Sequence, residues 1–246
     1  MKILVCISKV PDTTSKITFK DGDTKFSTDN IQFIVNPYDE WYALVRGLEL
    51  KEAVGGSVSI IHVGPDENDP IIRKALAIGA DNAIRVNADP TDTYYTAFQI
   101  AEHARKEEYD LILVGKETID FNGSALGAML AQLLELPFES MCSNLQLDGD
   151  TLTMEREIEG GKEISEIKLP CVVSAKKDMA EQRIPNMRGI MAARSKPLEV
   201  LEAIACDSLT HIEKFELLPE KGSCKYIDAE HPEELLNLLH NEAKII

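Results

Sequence analysis

Before Pro137 the chain alternates short apolar runs, rich in β-branched residues, with longer amphipathic stretches of helical period, and few folds satisfy that alternation. Ile3–Ile7, Ser57–Val63, Ala83–Val86 and Asp110–Val114 have the length and composition of strands. The spacing predicts helices from Asn36-Pro37 to Gly55-Gly56, over Pro70–Ile78, over Thr91–Arg105, and through Leu126, Leu130 and Leu134. Strands separated in this way form βαβ units, because a parallel neighbour is reached only by a crossover, which strand twist makes right-handed. A parallel sheet follows, with its ligands at the carboxyl ends of the strands.

Local signals refine this frame. A polar loop centred on Asp21-Gly22-Asp23 leads to a short strand over Ile31–Val35. In the next helix Asn36 suits the N-cap and Pro37 the first turn, Asp39 and Glu40 complement the positive end, and Leu44, Leu48 and Ala53 form the apolar stripe. Asn122 or Ser124 suits the N-cap of the helix through Leu126.

The texture changes near residue 138. Thr151–Ile158 and Glu163–Leu169 flank Glu159-Gly160-Gly161-Lys162, a hairpin signal, and Cys171–Ala175 reads as a further strand. Lys176–Lys196 has little regular pattern, but six basic residues there face only Asp178 and Glu181. A last helix starts at Pro232. The expected division is a core over residues 1–180, with its hairpin near 151–169, and a recognition loop with a C-terminal arm over residues 181–246.

Charge and cysteine usage narrow the function classes. With 26 Lys+Arg against 42 Asp+Glu the net charge is −16, which repels phosphate backbones and anionic lipid, so neither nucleic acid nor a membrane surface is the expected partner. No apolar run approaches the ~18–20 residues of a membrane span, and the N-terminal segment lacks the apolar region and cleavage site of a signal peptide. Cys6, Cys142, Cys171, Cys206 and Cys224 are odd in number and far apart, which argues against a disulfide framework or a zinc site and for a reducing, cytoplasmic compartment.

Gly115-Lys116 after an apolar strand invites a phosphate-loop reading, yet Asp110 and Glu117 stand where that motif needs Gly and Ser or Thr. What remains is a polar turn, Thr118–Ser124, ahead of a helix whose free N–H groups suit either a phosphate or a plain cap. No nucleophile–base pair or metal-ligand spacing emerges, and His62, His103, His211, His231 and His240 read as structural or solvated. Cys6 ends the first strand at the presumed crevice, where a small buried residue fits. Between Arg183 and Met191, apolar Met187 sits among basic residues, as either a loop pinned to its own domain or an exposed anchor for a partner.

In order along the chain, Lys9-Val10-Pro11-Asp12, Asn36-Pro37-Tyr38-Asp39-Glu40, Ala75-Leu76-Ala77-Ile78-Gly79-Ala80-Asp81, Gly115-Lys116-Glu117-Thr118-Ile119-Asp120, Arg156-Glu157-Ile158-Glu159-Gly160-Gly161 and Arg183–Met191 resemble the beta subunit of electron-transfer flavoprotein. The resemblance runs nearly end to end. It implies an α/β fold: a Rossmann-like parallel sheet of the adenine-nucleotide-binding, stress-protein-like kind, with helices on both faces, a β-hairpin and a C-terminal partner-recognition arm. It also implies a separate alpha subunit holding most of the FAD, an AMP in the beta subunit, and flavin dehydrogenases such as acyl-CoA dehydrogenase as electron donors. The chain would then be an electron carrier without catalytic residues of its own.

Carried over by position, the nucleotide residues are Cys6, Asn36, Pro37, Tyr38, Asp39, Val63, Gly115, Lys116, Glu117, Thr118, Ile119, Asp120, Phe121, Asn122, Gly123, Ser124, Ala125 and Leu126. Tyr38 would lie near the flavin ring. Met187 would be the apolar anchor of the recognition loop, with Arg183 and Arg188 beside it. Electron-bifurcating relatives hold a second FAD in place of AMP and often show a polar D-x-D followed by Gln-Val-Gly. Here Asp120-Phe121-Asn122 is followed by Ala125-Leu126-Gly127, which favours AMP. Met154 and Ser165 also depart from the hairpin pattern, which touches strand packing only. The alternatives are a bifurcating subunit and a stand-alone nucleotide-binding regulator, the latter leaving the hairpin and basic loop unexplained.

Overall fold

The computed structural model describes residues 1–246. In chain order the first half carries β1 (Lys2–Cys6), β2 (Lys9–Pro11), β3 (Phe19–Lys20), β4 (Lys25–Phe26), β5 (Phe33–Val35), α1 (Asp39–Val54), β6 (Ser57–Val63), α2 (Asp69–Ile78), β7 (Asn82–Asn87), α3 (Thr93–Ala104), β8 (Leu111–Gly115) and α4 (Leu126–Leu134). The second half carries β9 (Phe138–Asp148), β10 (Thr151–Ile158), β11 (Gly161–Lys168), β12 (Cys171–Ala175), α5 (Met187–Ala193), β13 (Leu198–Glu202) and α6 (Pro232–Asn237). Nine strands form one sheet in the order β11-β10-β9-β12-β8-β1-β6-β7-β13. From β9 to β13 the neighbours run parallel, and β10 with β11 extends the β9 edge as an antiparallel hairpin. This is the α/β parallel sheet that the sequence predicts.

The central strands are buried because they are predominantly apolar on both faces, as in β1 and β8. Ile3 and Val5 of β1, with Leu111 and Leu113 of β8, join the core under α1 and α2. Leu4 and Cys6, with Ile112 and Val114, point the other way into the core under α3 and α4. Two-sided burial explains why these strands read as continuous apolar runs instead of alternating ones. Ile112 is almost fully buried, so truncating it to Ala should cost about 2–5 kcal/mol.

Several sequence expectations shift. The Ile31–Val35 strand contracts to β5 and pairs with β2 outside the main sheet. The first helix starts at Asp39 with Tyr38 at its N-cap position and no side-chain cap, and Ala53 is exposed where the apolar stripe was expected to continue. Neither Asn122 nor Ser124 caps α4: both adopt left-handed backbone, and Ala125 holds the N-cap position without a side-chain bond. Strand β9 lay hidden because Met141 has positive φ and the register shifts against both neighbours, which breaks its alternation. Helix α5 and strand β13 also emerge from a stretch without sequence periodicity.

Beyond β13 the chain runs mostly without regular structure, but it is tied down. Gln99 exchanges two hydrogen bonds with the backbone of Ile204, at 2.6 and 2.9 Å. The Asp92 carboxylate accepts from Tyr95 N–H as the α3 cap and from the N–H groups of Leu209 and Thr210. Phe215 stacks on Phe19 with ring centroids 4.9 Å apart.

Candidate functional site

In the sheet order, β1 lies between β6 and β8, so the chain leaves β1 toward one side and continues from β8 toward the other. That reversal opens a crevice at the carboxyl ends of β1 and β8, the usual ligand position in such sheets. Cys6 ends β1 and is buried, which pushes its thiol pKa up. Val63 ends the adjacent β6 and belongs to the same apolar cluster as Cys6.

The segment after β8 is stitched to the segment before α1. Asn36, fully buried, donates from Nδ2 to the Glu117 carbonyl at 2.8 Å and accepts at Oδ1 from Ile119 N–H at 3.4 Å. Its side chain therefore clamps the loop instead of capping the helix. Glu117 N–H donates to the Asp39 carboxylate at 3.3 Å, and Lys116 N–H donates to the Ala175 carbonyl at 2.8 Å. Within the loop, Lys116 Nζ pairs with Glu117 at 2.8 Å, and Ser124 Oγ donates to the same carboxylate at 2.9 Å. Phe121 N–H donates to Asp120, and Asn122 N–H to the Thr118 carbonyl.

Gly115 packs closely against the first turn of α1. A Cβ there would stand 2.7 Å from Glu40 Cγ and 3.1 Å from Glu40 N. Glu40 is buried and accepts from Ser8 N–H at 2.6 Å and from Ser8 Oγ at 2.8 Å. Burial, aided by the nearby Asp120 and Asp39 charges, pushes its pKa up to about 8 against the pull of those Ser8 bonds. Burial likewise raises Asp39, with the Glu117 N–H opposing it. In the sequence Glu40 reads as a helix-end charge and Ser8 goes unmarked; a glycine at the end of β8, with a carboxylate after Asn-Pro, was the only available signal.

At the start of α4 the N–H groups of Gly123, Ser124, Ala125, Leu126 and Gly127 have no acceptor within the chain. A helix start with unpaired N–H groups, beside a strapped polar loop, is suited to an anion such as phosphate. Pro37 is half-buried, whereas Tyr38 at the start of α1 and Phe121 in the loop after β8 are exposed, at 49% and 65%. The chain thus brings Cys6, Asn36, Asp39 and residues 115–126 to one edge.

Other polar groups are already engaged. His62 is buried between the Ile7 carbonyl and Asn68 at 2.9 Å each, and burial pushes its pKa down to about 4. His103 meets the Tyr109 hydroxyl at 3.0 Å, and the remaining histidines are exposed. No cluster of three metal-ligating side chains forms, and all five cysteines are free thiols. A shallow surface hollow lies at the opposite, amino end of the sheet, among Tyr109, Ile112, Leu134, Leu136 and Pro170. Among its rim charges Glu107 pairs with Lys2 Nζ and Asp110 accepts from Lys2 N–H, whereas Glu108 is exposed to solvent.

A second exposed locus is the basic segment before β13. Met187 is 74% exposed at the start of α5, and Arg188 is exposed beside it. Arg183 is different: its guanidinium grips Glu52 at 2.6 and 2.9 Å, so its charge is neutralised within the chain.

Comparison with known proteins identifies the family. The electron transfer flavoprotein domain profile matches residues 23–205. "Electron transfer flavoprotein subunit beta" of Bacillus subtilis is 35% identical over 261 residues, covering 100% of both chains. The protein of the same name from Syntrophomonas wolfei is 36% identical, covering 91% of this chain and 88% of its own, and the human one is 36% identical, covering 82% and 81%. No helix is long and apolar enough to cross a membrane. With the family profile spanning most of the chain and a full-length relative at that identity, this chain belongs to the electron transfer flavoprotein beta-subunit family.

Proposed function

We propose that the chain is the beta half of a heterodimeric electron carrier, joined to an alpha subunit that holds most of one FAD, with AMP in the crevice at the ends of β1 and β8. The observation that carries the nucleotide reading is the run of unpaired N–H groups at the start of α4, next to a loop held in place by Asn36. Those N–H groups would hold the phosphate, and Asn36, Asp39 and the 115–122 backbone would fix the loop around it. AMP there acts structurally and stabilises the fold by mass action. FAD supplies the one- and two-electron chemistry, and Tyr38, exposed at the start of α1, would lie near its ring.

Residues 1–180 are assigned to nucleotide binding, and residues 181–246 to donor docking and attachment to the alpha subunit. The donors are flavin dehydrogenases, acyl-CoA dehydrogenase among them, and the compartment is cytoplasmic. Exposed apolar residues along the arm, Leu209, Leu217, Leu218, Leu236 and Ile245 among them, favour a large covering partner over a stand-alone regulator. Met187 serves as the docking anchor. Denaturing the purified heterodimer and separating the released nucleotides tests the assignment: one FAD and one AMP per heterodimer are expected. Two FAD would replace AMP by a second flavin, and no nucleotide beyond one FAD would refute the crevice as a binding site.

A further inference from the structure

Helices α2 and α5 end side by side, and each is closed by a cation from the other's segment. Lys196, just past α5, donates from Nζ to the carbonyls of Leu76 at 2.9 Å and Ala80 at 2.6 Å, at the end of α2. Arg73, within α2, donates from Nη1 to the carbonyls of Ala193 at 2.8 Å and Lys196 at 2.6 Å, at the end of α5. The last carbonyls of a helix lack intrahelical partners and carry its negative dipole end, so a cation donating to them is favourable twice over. The helices also touch closely. A Cβ on Gly189 would lie 2.4 Å from the Ala77 carbonyl, and Ala193 is buried in the main core.

The other end of the segment is fastened too. Trp41 Nε1 donates to the Arg183 carbonyl at 3.2 Å, Arg183 grips Glu52, and Asn186 caps α5 by accepting from Gly189 N–H at 2.8 Å. Between the two fastenings Ile184, Met187 and Met191 stand 84%, 74% and 59% exposed. Met187 and Met191 are one helical turn apart and share a face of α5. Apolar side chains this exposed on backbone this restrained form a preorganised surface, because little ordering remains to be done on binding.

We infer that Arg73 and Lys196 are positioning residues for donor docking, their exchange of helix-end carbonyls holding α5 so that Met187 is presented in one orientation. This rests on the reading of Met187 as the docking anchor. Neither residue would touch the donor or the flavin. The exchange works through backbone carbonyls, so its loss should loosen α5 while the sheet beneath stays folded.

The test uses the FAD-loaded heterodimer and an acyl-CoA dehydrogenase reduced by its substrate. Lys196→Met and Arg73→Met should each raise the apparent KM by about tenfold, as expected for one or two lost hydrogen bonds. Flavin content, visible spectrum and kcat should stay unchanged, and the amides of residues 187–196 should exchange hydrogen faster. In a Met187→Ala background the same substitutions should change KM little, because an absent anchor cannot be misplaced. A KM unmoved by Lys196→Met, or an effect that simply adds to that of Met187→Ala, would overturn the positioning role while leaving the anchor intact. A normal KM for Met187→Ala would overturn the anchor reading and the proposal with it. If Arg73→Met lowers the heterodimer yield, Arg73→Lys, which keeps the cation but not the reach to both carbonyls, reads the same KM-against-kcat split.

Discussion

Asn36→Ala separates the two roles that the side chain could have. As a helix cap its loss would be local to α1, and Ser would replace it well. As the clamp seen here its loss strands the Glu117 carbonyl, bonded at 2.8 Å, and frees the Ile119 N–H, bonded at the longer 3.4 Å. Stranding one such group costs about 1–3 kcal/mol, and the longer bond adds little, so ~2 kcal/mol is the working figure. For a chain of this size that corresponds to a fall in Tm of about 4–8 °C. The stranded groups lie on the loop that leads to α4, so an AMP held there as proposed would have to restore the order that Asn36 supplied. Affinity should therefore drop by up to about thirtyfold, the same ~2 kcal/mol read as a Kd. Thermal unfolding of the heterodimer followed by circular dichroism, with AMP titrated calorimetrically, measures both. Asn36→Ser should behave like Asn36→Ala. Recovery of Tm and AMP affinity by Ser, or normal AMP affinity in the Ala variant, would refute the clamp.

Glu40→Gln reads the buried carboxyl. Its folded pKa of about 8 lies above the ordinary value of 4.5, so the folded chain keeps a proton that the unfolded chain releases, and stability falls as pH rises from 4.5 to about 8. The Gln variant should show a flatter decline of Tm across that window, and an unchanged slope would show that other groups govern it. Met187→Ala should raise the apparent KM for a dehydrogenase by roughly thirtyfold with Tm unchanged, as for a ~2 kcal/mol interface anchor, whereas a lowered Tm with normal KM would place Met187 in its own core. Asp92→Ala should release the arm, speeding limited proteolysis between residues 205 and 215, and cost about 1 kcal/mol as a lost α3 cap. Proteolysis at the wild-type rate would mean that the Gln99 and Phe215 contacts hold the arm without it.

The strands of the doubly covered sheet were legible because two-sided burial writes itself into sequence as apolar runs, and β8 carries Leu111 to Val114 without a break. Strand β9 was illegible for the converse reason. A bulged strand with a left-handed residue at Met141 loses the period that identifies strands. Helix α5, seven residues long, is too short for a periodicity to stand out, and it is fixed by groups on α2 that no local pattern contains.

The residues that shape the two loci share one property. Asn36 acts on backbone 81 and 83 residues away, Arg73 on carbonyls 120 and 123 residues away, and Lys196 on carbonyls 120 and 116 residues away. A side chain that serves distant backbone leaves its mark on the partner's geometry, not on its partner's residue type, since every residue except proline offers the same N–H and C=O. Asn36 therefore looked like a helix cap, the commonest use of Asn before a helix, and Lys196 like one more charge in a basic stretch. The residue types with a mark of their own are those at the point of closest approach, where Gly115 lies under Glu40 and Gly189 against Ala77. A glycine next to a polar loop, without a turn to require it, is thus the better sequence signal for a clamped backbone than the clamping residue itself.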